Sequence, residues 1–124
     1  DEVELLMDRL GLTESADVRV GQLSTGRARL VELGRALAIR PRVLLLDEPA
    51  SGLDDTETEE FGDLLVHLAG AGLSILMVEH DVPLVMKVCS QIFVLDFGRI
   101  IASGSAAEIQ QDQTVLDAYL GSAG

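Results

Sequence analysis

Two short runs bring together residues whose types and spacing could do chemistry. Val43 to Leu46 is a continuous apolar run that ends in Asp47-Glu48. Leu73 to Val78 is a second, ending in Glu79-His80. A short apolar run between turn residues fits a β-strand buried on both faces. In an open parallel sheet, ligands bind at the carboxyl ends of the strands. Two neighbouring strands would thus deliver three acids and a histidine to one edge. Either pair alone is more simply read as the point where a strand meets water. A third run, Gln22 to Arg35, reads QLSTGRARLVELGR. Its Ser24-Thr25-Gly26 turn opens a helix, so Ser24 and the backbone N–H groups near Gly26 form a ready anion site.

The elements that would position these residues follow from periodicity and punctuation. Val3, Leu5, Leu6 and Leu10 space a short amphipathic helix that ends at Gly11. Residues 12–22 are polar and irregular. Leu30, Leu33, Leu37 and Ala38 give the Ser24–Ile39 stretch its helical face, and Pro41 stops it. Thr56 with Glu59 predicts a capping box for a helix to about Ala69, ended by Gly70 and Gly72. Asp81 caps a helix that carries Pro83 in its first turn and runs to about Val88. Ile92–Leu95 and Arg99–Ala102 flank Phe97-Gly98 as a β-hairpin. Two short helices are predicted near 105–111 and 114–120. The alternation of strand and helix predicts an α/β fold with a parallel sheet.

Composition narrows the function classes. The 124 residues suffice for one domain. Hydrophobic residues make up 48% and aromatics only 3%, so the core must be aliphatic. Twenty-one acids against nine bases give a net charge of −12, which opposes nucleic-acid binding. Five of the nine bases lie between Arg27 and Arg42. They fit a solvated helix face, with an anion patch as the alternative. The single Cys89 sits in an apolar helical stretch and reads as a buried, inert thiol. No apolar run approaches bilayer length, and the acidic start is no signal peptide. The absence of an initiator Met suggests a fragment or a processed chain.

The string LSTGRARLVELGRALAIRPRVLLLDEPASGLD resembles the ATP-binding-cassette (ABC) ATPases. Leu23 to Arg27 is similar to the family's signature motif. Val43 to Glu48 resembles the Walker B strand followed by the catalytic glutamate. Ser51-Gly52-Leu53-Asp54 resembles the D-loop, and His80 the switch histidine. Independent motifs in the right order are far more specific than one alone. The tail, VEHDVPLVMKVCSQIFVLDFGRIIASGSAAEIQQDQTVLDAYLG, resembles the ATPase subunits of branched-chain amino-acid uptake systems.

The resemblance implies ATP and Mg²⁺ as cofactors in a complete dimer. It makes Glu48 and His80 catalytic and Asp47 the metal ligand, all acting in cis. Ser24, Thr25 and Gly26 would touch the γ-phosphate of ATP held by a second ABC ATPase subunit, identical or different. Asp54 would lie at the dimer seam, although it also suits a helix N-terminus electrostatically. Transmembrane permease subunits are the implied partners, with the chain peripheral at the cytoplasmic face of the plasma membrane. Residues 1–40 would be the end of a helical subdomain with the signature helix. Residues 41–104 would form the core carrying Walker B, the D-loop and the switch histidine, and 105–124 the C-terminal helices.

Three features depart from the family. Thr25 replaces a signature glycine, where backbone must approach phosphate closely. Arg27 replaces the usual glutamine, and either meets an anion or acid of a partner or points to solvent. No stretch matches G-x-x-x-x-G-K-[ST], since the lone lysine, Lys87, has no glycine loop before it. The chain thus reads as the C-terminal half of an ABC nucleotide-binding domain, a partial P-loop NTPase sheet lacking the Walker A strand. Alone it should be inactive, and its open sheet edges could make it self-associate. Two other readings stand beside an importer subunit: a non-transport member of the superfamily, and a non-catalytic module that supplies only the signature half-site.

Overall fold

The computed structural model describes residues 1–120. It divides into two compact units, Asp1–Glu79 and His80–Gly124.

The first unit begins with α1 (Glu2–Arg9), capped by the Asp1 carboxylate. Gly11 turns the chain at φ 66, a left-handed backbone that glycine adopts without steric cost. Two single 3₁₀ turns, Thr13–Ser15 and Val20–Gln22, fill the irregular segment. Helix α2 (Thr25–Ala38) starts where the sequence places it, with Ser24 Oγ accepting from the Arg27 N–H at 3.3 Å. Strand β1 (Val43–Asp47) then pairs in parallel with β2 (Ser74–Val78), Leu45 opposite Leu76 and Asp47 opposite Val78. A parallel pair needs a long crossover, and α3 (Asp55–Gly70) supplies it.

The capping box of α3 lies two residues earlier than expected. Asp54, not Thr56, is the N-cap, and its partner is Glu57, not Glu59. The Asp54 carboxylate accepts from the Glu57 N–H at 2.7 Å, and Glu57 Oε2 accepts from the Asp54 N–H at 3.1 Å. Asp caps as well as Thr does, so the earlier acid starts the helix first.

Leu44, Leu33, Phe61, Leu65 and Leu68 bury together with Leu10 and Leu12. Ile75 and Met77 join them from the same sheet face as Leu44 and Leu46. The opposite face corrects the expectation of two-sided burial. Leu45 is 70% exposed and Leu76 62%, with Val43 and Val78 beside them. No described residue of this unit covers that face. The sheet has two strands only, so each also keeps one edge without a strand partner among the described residues.

In the second unit, Asp81 caps α4 (Val82–Val88) by accepting from the Leu84 N–H, with Pro83 in the first turn. The expected hairpin is present as β3 (Ile92–Asp96) and β4 (Arg99–Gly104). Phe97 at φ 47 and Gly98 at φ 77 make the two left-handed steps that a tight hairpin needs. Among the described residues β3 bonds only to β4, antiparallel, and does not extend the parallel pair. Helix α5 (Ala106–Gln111) is capped by Ser105 and Glu108, whose carboxyl is held below its usual pKa by the Ser105 backbone N–H and then its hydroxyl. The last predicted helix is a short α6 (Gln113–Val115) running into a π-type turn over Leu116–Leu120. The Tyr119 hydroxyl in that turn donates to the Leu95 carbonyl. The end of the predicted tail, residues 121–124, lies outside the described residues. Ile92, Ile109 and Val115 form this unit's core, with half-buried Cys89 against it.

Two outcomes follow from this packing. The bare Leu45–Leu76 strip should make association concentration-dependent. Changing both residues to Thr keeps β-propensity on an exposed face, and light scattering should then report the 13.2 kDa monomer across the concentration range. An unaltered chain that stays monomeric at the same concentrations contradicts this. Burial pushes the Cys89 thiol pKa up. A group raised in the folded state favours folding fully below its unfolded pKa, about 8.5, and loses that contribution as pH rises beyond it. Urea midpoints between about pH 8 and 10 should fall less in Cys89→Ala than in the unaltered chain.

Candidate functional site

The acidic edge of the first unit is built by the parallel ladder running one residue past β1. The Glu48 N–H donates to the Val78 carbonyl at 2.7 Å. At that point Glu48 turns left-handed, at φ 47, where a side chain other than glycine's costs about 1–2 kcal/mol. The chain then folds back, with the Ser51 N–H donating to the Glu48 carbonyl and the Leu53 N–H to that of Ala50. Pro49 and Ala50 are buried and anchor the loop. Glu79 Oε2 accepts from the Ala50 N–H at 3.1 Å and ties the loop to the end of β2. Asp47 and Glu48 are thereby exposed on a loop fixed from both sides. Backbone held in such a conformation, next to two acids, is a common mark of a functional position. Glu79 carries a supporting role that sequence reasoning left unassigned, although its place at the second strand end was the available signal.

The N-terminal turn of α2 packs on the same loop. Arg29 Nη2 donates to the Ser51 carbonyl at 3.4 Å, and Nη1 pairs with Glu32. The Thr25 methyl faces Gly52, where a Cβ would lie 3.1 Å from it, and the φ of 80 there also suits glycine. Ser24 and Thr25 are exposed, and Gly26 is half-buried. The alternatives open for Arg27 resolve within this unit. Its Nη1 donates to Ser15 Oγ at 2.8 Å and to the Gly11 carbonyl at 3.4 Å, so the guanidinium ties α2 to the turn after α1. Asp54 acts here as the cap of α3. His80 opens the second unit, exposed and one residue before the α4 cap.

The donor set fits Mg²⁺ in a limited way. Asp47 and Glu48 offer hard carboxylate oxygens, and Mg²⁺ takes one or two of these and fills its shell with water and phosphate oxygens. Among the described residues no cluster of three acidic, histidine or cysteine side chains forms a closed cage. Asp47 would supply one of those carboxylate oxygens.

Known proteins resemble the chain along almost its whole length. The family model described as ABC transporter matches residues 1–51, and that described as Branched-chain amino acid ATP-binding cassette transporter matches residues 99–124. The chain is 37% identical over 124 residues to the High-affinity branched-chain amino acid transport ATP-binding protein LivG of Salmonella typhimurium, covering 99% of this chain and 49% of LivG. It is 36% identical to the Lipopolysaccharide export system ATP-binding protein LptB of Escherichia coli, over 98% of this chain and 50% of LptB. Its fold matches MJ1267, an ATP-binding cassette of an ABC transporter, with a TM-score of 0.86 and 28% identity, over 94% of this chain and 48% of that one. The chain is homologous to the ATP-binding subunits of ABC transporters, and its fold is part of theirs. It spans about half the length of the relatives it matches.

The strained turn gives a direct test. Glu48→Gly relieves about 1–2 kcal/mol of left-handed strain and loses about 0.5–1 kcal/mol to glycine's extra unfolded freedom. On the backbone alone, stability by urea titration should rise by roughly 0.5 kcal/mol, and by less to the extent that the Glu48 side-chain interaction is lost. A clear fall would show instead that the Glu48 side chain holds the loop.

Proposed function

We propose that the chain forms the hydrolytic half of an ABC-transporter ATP-binding subunit that energises uptake of a small solute, of the branched-chain amino-acid class. The observation that carries this is Glu48. It follows an aspartate at the carboxyl end of a parallel strand, and its loop is held left-handed and pinned by Glu79. In this reading Glu48 orients the attacking water and accepts its proton. Asp47 holds Mg²⁺, which neutralises charge on the phosphates. The resemblance to the switch histidine gives His80 a γ-phosphate contact. Ser24, Thr25 and Gly26 offer their hydroxyls and amides to ATP on a partner subunit, at a helix end suited to anions. Asp54 lies at the seam between subunits, its carboxylate already fixed as a cap. Permease subunits complete the transporter.

The substrate class draws support from the match of residues 99–124 to the branched-chain family model. The comparable identity to LptB supports a second reading, an ATPase that serves an exporter. Among the described residues no helix is long and apolar enough to cross a membrane.

Calorimetry on the chain alone should show no micromolar Mg-ATP binding, because no glycine loop and lysine cradle the phosphates. Joined to a Walker A-bearing first half from LivG, the chain should hydrolyse ATP. Glu48→Gln in that polypeptide should lower kcat at least about 100-fold while ATP still binds. Unchanged turnover would remove Glu48 from the role given to it.

A further inference from the structure

The N-terminal part of α2 touches the loop before α3 and the first turn of α3 at three places. Arg29 reaches the Ser51 carbonyl, and Thr25 packs on Gly52. The third contact is the closest. A Cβ on Gly26 would lie 2.8 Å from Cδ of Glu57 and 2.9 Å from its Oε1. That carboxylate is the one that closes the capping box onto the Asp54 N–H. Gly26 is thus bare on the side where the Glu57 side chain lies. A side chain at position 26 obliges the Glu57 carboxylate to shift, and its bond to the Asp54 N–H is the contact that such a shift puts under strain.

We propose that Glu57 is a positioning residue that locks Asp54 and its loop to the Ser24–Gly26 turn, so that both are presented to a partner subunit as one body. The functional sense of this lock rests on the ATPase reading above. The lock itself is a property of the first unit and is measurable without nucleotide. Glu57 does not need to touch ATP. It acts by its length, which lets one carboxylate reach back to the cap and cover Gly26. Gln, which also closes a capping box, has the same reach. Asp and Ala do not.

The test is a mutant cycle on the 124-residue chain. Gly26→Ala should leave Tm unchanged or lower it by up to about 5 °C, because a lost capping contact offsets the helix propensity that Ala gains. In a Glu57→Ala background the same change should raise Tm by about 3–6 °C, because only the propensity gain is left. Equal effects in the two backgrounds overturn the proposal. Amide spectra separate a lock from a plain loss of cap. Glu57→Ala should shift the Ser24, Thr25 and Gly26 amide signals, Glu57→Gln should restore them, and Glu59→Ala should leave them in place. Unmoved signals in Glu57→Ala overturn it too. Glu57→Asp takes the place of Glu57→Ala should the latter not fold. Loss of ATP hydrolysis in the joined polypeptide would count against the ATPase reading without altering this cycle.

Discussion

One backbone hydrogen bond organises the candidate site. The Glu48 N–H reaches the Val78 carbonyl and extends the β1–β2 ladder beyond the last regular pair. That bond holds Glu48 at the sheet edge while its φ turns positive. Everything after it depends on this turn. The Ala50 N–H comes within reach of Glu79, Gly52 comes under Thr25, and Asp54 arrives where it can cap α3. Register matters as much as the bond. A slip of one residue would exchange Leu44 for Leu45 in the core and send the acids to the wrong face.

The surroundings of the loop are built from side chains that serve two neighbours each. Glu57 caps one helix and covers the glycine of another. Arg27 gives its N–H to the Ser24 cap and fastens α2 to the turn at Gly11 and Ser15. Arg29 bridges Glu32 and the Ser51 carbonyl. Individually such exposed polar contacts stabilise little. Together they reduce the number of ways in which the α2 turn and the loop can move separately. Thr25 and Arg27, the two residues that set this chain's signature apart, are both absorbed into that arrangement.

Much of the fold was legible because local chemistry decided it. Ser24 and Asp81 cap the helices that the sequence assigns to them, Gly11 turns where expected, and Phe97-Gly98 makes the hairpin. The α3 start was misplaced because DDTETEE holds several competent caps, and composition does not say which residue takes extended backbone. The burial of β1 and β2 was half right for a different reason. A continuous apolar run reports what a strand can bury on each face, while the cover for the second face must come from elsewhere. Motif order identified the acidic edge, Asp47 and Glu48. The supporting parts played by Glu79 and Glu57 were not legible, since both depend on contacts between segments distant in sequence.

The two units also differ in how far apart along the chain their contacts lie. The β3–β4 hairpin closes over Phe97-Gly98, a local event on the microsecond scale. The β1–β2 pair must bring Val43 to Ser74 across the whole of α3 before its first bond forms. Loop-closure entropy opposes such pairing until many contacts repay it. The acidic edge therefore belongs to the slower-forming part of the chain. The Glu48 N–H finds its carbonyl partner only once a strand made later in synthesis has come back to meet it.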